Sequence, residues 1–162
     1  MRYTLILFFA IISIASAQKD STTTFHLNAG LGYGTSGAAV LFGANFGYKD
    51  RFIQFRRLYT AELPDSSRPT GRIGDFALMF GYKRPAKPKG SQVNAAVGIG
   101  YVTGLIYPRH SGRELSTYGL AFQTTYLISS PDFGISSSVQ GNFNLDQIFG
   151  AIVISLHIGK IQ

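Results

Sequence analysis

The stretch "VNAAVGIGYV", residues 93–102, decides how this sequence is read. Val93, Ala95, Val97, Ile99 and Tyr101 alternate with Asn94, Ala96, Gly98, Gly100 and Val102, the period of a β-strand with two different faces. One face is apolar and grows bulkier along the strand; the other is mostly small. The strand carries no charge and places glycine where a protein core wants volume. Either the bulky face packs inward, as in a soluble β-barrel, or it meets lipid while the small face lines a narrow interior.

The same period recurs along the chain. In "TFHLNAGLGY" Phe25, Leu27, Ala29, Leu31 and Tyr33 share a face, and in "VLFGANFGY" Val40, Phe42, Ala44, Phe46 and Tyr48 do so. "DFALMFGYK" sets Phe76, Leu78, Phe80 and Tyr82 against Asp75, Ala77, Met79 and Gly81. "YGLAFQTTYLI" and "IFGAIVISLHI" continue the pattern, with Ile152, Ile154, Leu156 and Ile158 on one face of the latter. Eight segments emerge, at about 23–35, 38–49, 51–63, 72–84, 92–106, 114–128, 133–143 and 147–160. The third, "RFIQFRRLYTAEL", is the least regular: Arg57 falls on the face of Ile53 and Phe55, and Leu58 does not. A β-bulge near Arg56–Arg57 is expected to restore its pattern. Turn residues fill the connectors, in "TSG" (35–37), "PDSSRPTG" (64–71), "RPAKPKGS" (84–91), "YPRHSGR" (107–113) and "SSPD" (129–132). Short connectors imply antiparallel neighbours, and eight strands in up-and-down order close into a barrel that leaves no edge.

The placement of charge and aromatics decides which face is outside. A soluble barrel needs a polar exterior, yet the only charges in mid-strand are Arg56, Arg57 and Asp75. Tyr33, Tyr48, Tyr59, Tyr82, Tyr101, Tyr107, Tyr118, Tyr126 and Phe133 stand near segment ends on the bulky face, as in the aromatic belts of a bilayer protein. The segments are long enough for tilted strands, which need about 9–11 residues to cross the hydrocarbon. The expected fold is all-β: an eight-stranded antiparallel up-and-down transmembrane β-barrel. A soluble lipocalin-like carrier of an apolar ligand is the competing architecture.

The first residues set the compartment. Arg2, the apolar run "LILFFAIISI" (5–14) and the small residues "ASA" (15–17) have the three-part layout of a cleaved secretory signal. Residues 1–17 are therefore expected to be removed, leaving one domain, 18–162. The net charge of +7 falls to +6 with the loss of Arg2. Basic residues gather at turns (Lys49 and Arg51; Lys83, Arg84, Lys87 and Lys89; Arg109 and Arg113), so they read as solvated or headgroup-facing ends, and no nucleic-acid partner is expected. The absence of cysteine excludes both a disulfide framework and a lipid-modified cysteine.

With its signal "LILFFAIISIASA", its eight alternating segments and its tyrosine placement, the chain resembles the small eight-stranded outer-membrane barrels of Gram-negative bacteria, the OmpA/OmpX-like group. The resemblance spans residues 18–162. It departs from the group at Lys160, Ile161 and Gln162, where members end on an aromatic residue. It implies an outer-membrane location with both termini in the periplasm and a monomeric barrel. It also implies help from the barrel-assembly machinery and contact with outer-membrane lipid and lipopolysaccharide. The turns at 49–51, 84–91 and 129–132 then face the periplasm. The loops near 35–37, 64–71, 107–113 and 144–146 face outward, with Arg68, Arg72, Arg109, His110 and Arg113 placed for lipopolysaccharide.

Three functions fit such a barrel: a structural or surface-interaction protein, a lipid A-modifying enzyme, or a narrow channel. Ser155 and His157 share a face, as do His26 and Asn28, but nucleophilic catalysis also needs a group that orients the histidine and an oxyanion site. The Ser155–His157 face is read as interior, next to the periplasmic end, where Asp20 and Asp132 are the candidate orienting acids, though nothing in the sequence fixes them there. Lipid A deacylase barrels direct a Ser–His pair and a glutamate to lipid, a pattern not seen here. "GLGYG" (30–34) and "GIGYVTG" (98–104) imitate phosphate loops, but no helix follows either. Three dispersed histidines offer no metal-ligand spacing. The reading is therefore non-enzymatic, with no catalytic, cofactor-binding or metal residues and no cofactor. Eight strands leave a lumen that side chains fill. The inward residues are small, so water-filled pockets are expected in a closed barrel, with Arg56, Arg57 and Asp75 as its buried charges and Arg56 or Arg57 paired to Asp75.

Overall fold

The computed structural model describes residues 23–62, 71–106 and 112–161. Residues 1–17, expected to be a signal segment, and Asp20, Arg68, Tyr107, Arg109 and His110 lie outside the described residues. Eight strands run in chain order: β1 Thr23–Gly34, β2 Gly37–Tyr48, β3 Arg51–Ala61, β4 Arg72–Ala86, β5 Ser91–Ile106, β6 Arg113–Ser129, β7 Phe133–Asn144 and β8 Ile148–Lys160. Each pairs antiparallel with the next, and β1 pairs with β8 from Phe25↔Lys160 to Gly34↔Ala151, so the sheet is closed. Thr23 and Ile161 mark the terminal rim; the opposite end is the far rim.

Alternation sorts the side chains as expected. Leu31, Ile99, Tyr118, Ile152, Ile154 and Ile158 are each more than 60% exposed, whereas Ala77, Val102, Ala121 and Val153 are fully buried. An apolar exterior with a packed interior is the inverse of a soluble protein and suits a hydrocarbon solvent. Phe25 departs from its exposed neighbours because the ring of Phe46, 4.6 Å away between centroids, covers it.

The chain reverses tightly at the terminal rim between β2 and β3. Lys49 takes the left-handed conformation (φ 56°), and the Lys83 amide donates to the Asp50 carbonyl at 2.7 Å. No bulge follows. β3 pairs residue for residue with β2, from Ala38↔Ala61 to Tyr48↔Arg51, and with β4, from Arg51↔Tyr82 to Ala61↔Arg72. The expected bulge at Arg56–Arg57 is thus corrected. Leu58 points inward and is fully buried, while Arg57 points outward and is exposed. A long side chain can stay on the outer face by running along the wall to polar surroundings, so the strand need not break register.

The interior is also less small than the alternation implied. In its far half, Leu41, Leu58, Ile73, Val102, Leu115 and Phe149 pack with Ala39, Ala151 and Val153 into a dry cluster. A smaller cluster of Phe52, Ala77, Met79, Ala96 and Ala121 lies lower, on β3 to β6. The small inward residues of "VNAAVGIGYV" describe one sector of the lumen, not all of it.

Strand β8 gives a direct test of side-chain orientation. Ile154→Arg, near the middle of β8, should cost about 2–4 kcal/mol in reversible unfolding from bilayers. A cysteine at 154 should react with a lipid-soluble reagent, and one at Ser155 should not.

Candidate functional site

The middle of the lumen holds one buried ion pair. Arg56 and Asp75, both fully buried, bond through one guanidinium nitrogen and one carboxylate oxygen. Arg56 also donates to the carbonyls of Phe122 (2.9 Å) and Gly141 (3.2 Å), which lie on the far wall. Asp75 accepts a second bond from the Asn142 side-chain amide at 3.1 Å. A buried charge is tolerated when it is paired and hydrogen-bonded; here only Arg56 Nε is left without a partner among the pair's side-chain nitrogen and oxygen atoms, and these contacts tie β3 and β4 to β6 and β7 across the lumen.

This network explains Gly100 of the opening stretch. Across the sheet, Gly43, Arg56, Ala77, Gly100 and Gly119 are consecutive register partners. One long residue stands in a row of very small ones. A Cβ on Gly100 would lie 2.2 Å from the Asn142 amide nitrogen and 2.6 Å from an Asp75 oxygen; a Cβ on Gly119 would lie 2.0 Å from the Asn142 oxygen. Glycine stands there because polar side chains from other strands occupy the space a side chain would need.

Nearer the terminal rim lies a second polar layer. Gln54 donates to Gln123 (3.3 Å), Gln123 to Thr125 (2.9 Å) and Asn45 to Asn28 (3.0 Å). His157 Nε2 and the Ser136 hydroxyl are 2.7 Å apart, and the rings of His26 and His157 lie 5.1 Å apart between centroids. A cavity of about 10 Å³ is lined here by residues that include His26, Gln54, Gln123 and His157. A carrier of drug-sized ligands needs roughly 300–1,000 Å³.

Neither same-face pair, Ser155–His157 or His26–Asn28, has a hydrogen bond between its two members. Ser155 shares a face with His157, but its hydroxyl has no hydrogen-bond partner, and His157 bonds Ser136 instead. Asn28 serves Asn45, and His26 Nδ1 is unpartnered. Asp132 is exposed in the β6–β7 turn, where its carbonyl accepts from the Gly159 amide at 3.0 Å. Among the described residues no carboxylate bonds either imidazole, and no three metal-ligating groups converge. Asp75's partner is Arg56; Arg57, expected in the lumen, lies on the outer wall. The role of Asn142 was missed from sequence, since a contact across the lumen leaves no periodic trace; the Ser136–His157 contact joins neighbouring strands one diagonal step apart. Arg113, one of the outward-loop residues, is paired at 2.5 Å to Asp146. Arg72 opens β4 at the same rim.

No protein-family model matches the chain, and no curated relative matches it. Solved structures do share its fold. The N-terminal β-barrel domain of Pseudomonas aeruginosa OprF superposes with a TM-score of 0.59 at 12% identity, covering 83% of this chain and 96% of that one. Neisserial surface protein A gives a TM-score of 0.65 at 9% identity, with coverage of 85% and 97%. Ail, the attachment invasion locus protein of Yersinia pestis, solved with the heparin analogue sucrose octasulfate, gives 0.56 at 10% identity, with coverage of 86% and 97%. All three are small eight-stranded outer-membrane barrels, and this chain has their fold.

The central pair makes a sharp stability test. Asp75→Ala should cost about 3–5 kcal/mol, because it strands a buried arginine. The double change with Arg56→Met should cost less than Asp75→Ala alone in urea unfolding from lipid vesicles. Additive losses would contradict the pairing.

Proposed function

We propose that this chain is a non-enzymatic protein of the bacterial outer membrane, exported by its signal segment, with both termini in the periplasm. Its role is structural or lies in surface interaction, and its lumen carries neither solute nor chemistry. The filled lumen is the observation behind this reading. The dry far-half cluster closes one end, the Arg56–Asp75–Asn142 network crosses the middle, and the polar layer below it encloses only a small cavity. An open channel needs a continuous wet path, and a hydrolase needs an oriented base beside an accessible nucleophile; the packing argues against both.

The exterior is where such a protein meets its surroundings. Exposed apolar strands fit outer-membrane lipid, and basic residues of the far rim such as Arg72 suit the phosphates of lipopolysaccharide, whereas Arg113 is already paired to Asp146. Ail, with the same fold, was seen with a polysulfated sugar, which fits a surface-interaction role for barrels of this build. Monomeric assembly by the barrel machinery belongs to the same reading.

Three readouts test it together. The protein should fractionate with the outer membrane, show no stable conductance in planar bilayers, and leave the mass of lipid A unchanged when expressed. Steady conductance would establish a channel, and a mass change in lipid A an enzyme.

A further inference from the structure

We propose that Arg57 and Arg72 form a binding site, on the outer wall of the barrel, for a phosphate group of an outer-leaflet glycolipid. The proposal rests on the outer-membrane reading above.

Arg57 is the anomaly that points to the site. Its register partners are Phe42 on β2 and Phe76 on β4, and both are exposed on the apolar wall. An arginine held at mid-bilayer is costly, and one that reaches the interface is hardly so. Arg57 takes the second course. Its guanidinium lies 3.3 Å from where a Cβ on Gly74 would stand, and Gly74 is the next outward position toward the far rim after Phe76. Glycine at 74 leaves a hollow into which the side chain leans, at the level of Tyr59, its register partner and a member of the aromatic belt.

Arg72 is the next outward position beyond Gly74 on the same strand. The two arginines line one open groove of about 210 Å³ with Tyr59, Gly74, Thr103 and Gly104. Outward positions two residues apart are separated by about 6.7 Å. A phosphate group, accepting bonds of about 2.8 Å from both sides, spans such a gap. The planar guanidinium fork suits that geometry, and the hydroxyl of Thr103 adds a donor.

Among the described residues the groove also lacks a neutralising partner. Neither arginine forms an ion pair among the described residues. Asp75 faces the other side of β4 and is occupied by Arg56 and Asn142. Glu62 turns its carboxylate to the Gly71 amide at 2.8 Å. Glu114 lies beyond Leu105 from Arg72, two strand spacings or about 9.5 Å away along the sheet. Two cations with no ion-pair partner among the described residues therefore meet in one groove at the upper edge of an apolar wall. The groove opens sideways among Phe76, Tyr101 and Tyr59, where acyl chains end and headgroups begin, so the phosphate is that of a lipid and not a free anion.

Binding to the refolded protein in uncharged micelles tests the site directly, with bis-phosphorylated lipid A as probe and native mass spectrometry as readout. Arg57→Gln and Arg72→Gln should each weaken retention about tenfold, and the double change should abolish it. Arg57→Lys should fall between wild type and Arg57→Gln. Removing a charge from the apolar wall does not threaten insertion, and the heat-dependent gel shift of a folded barrel checks each variant. Arg51→Gln with Arg84→Gln, at the terminal rim, should bind as wild type. Dephosphorylated lipid A should bind at least tenfold more weakly, and millimolar inorganic phosphate should not displace the lipid. Equal retention by the double variant, equal loss in the terminal-rim control, or indifference to lipid phosphorylation would overturn the site. Displacement by inorganic phosphate would make it a free-anion site. These outcomes do not depend on where the protein resides, so a failure of outer-membrane fractionation is separately visible.

Discussion

In hydrocarbon no backbone amide has water to turn to, and every other feature of this molecule follows from that constraint. The first strand must find the last, and β1 meets β8 along nearly its whole length. Closure of only eight strands fixes a narrow bore. The narrow bore forces side chains from opposite walls into contact. Alternation then assigns each residue to one of two solvents, the lipid outside or the packed interior, with no surface in between for ordinary charges.

Adjacent arginines show how the two solvents are handled. Arg56 points inward and is stabilised by Asp75, two carbonyls and a row of glycine and alanine that leaves it room. Arg57 points outward, has no carboxylate partner among the described residues, and runs along the wall over Gly74 toward the rim. Both escape the cost of a bare charge in a low dielectric, one through a partner and one through reach. The glycine facing each is part of the solution.

Period two made the strands, their order and their outer face legible, because a residue's face in a strand depends only on its parity. The strand limits in "VNAAVGIGYV" and "IFGAIVISLHI" needed no tertiary information. Arg57 was misplaced because a charge on an apolar face looks like a register error unless the length of its side chain is considered. The lumen was read as small and wet from the β5 sector. Leu41, Leu58, Val102, Leu115 and Val153, all visible as inward by parity, already said that its far half is dry. The Arg56–Asp75 pairing was within reach because β3 and β4 are neighbours. The Asn142–Asp75 contact was not, since a partnership across the lumen depends on shear and bore, quantities no single strand encodes.

Closure itself is the claim on which the account stands, and amide hydrogen exchange in bilayers measures it at the seam. Amides of β1 between Leu27 and Tyr33, and of β8 between Ile152 and Ile158, should be as slow to exchange as those of the β3–β4 pairing. A seam that exchanges within seconds while β3 and β4 stay protected would mean an open sheet, and the barrel described here would be wrong.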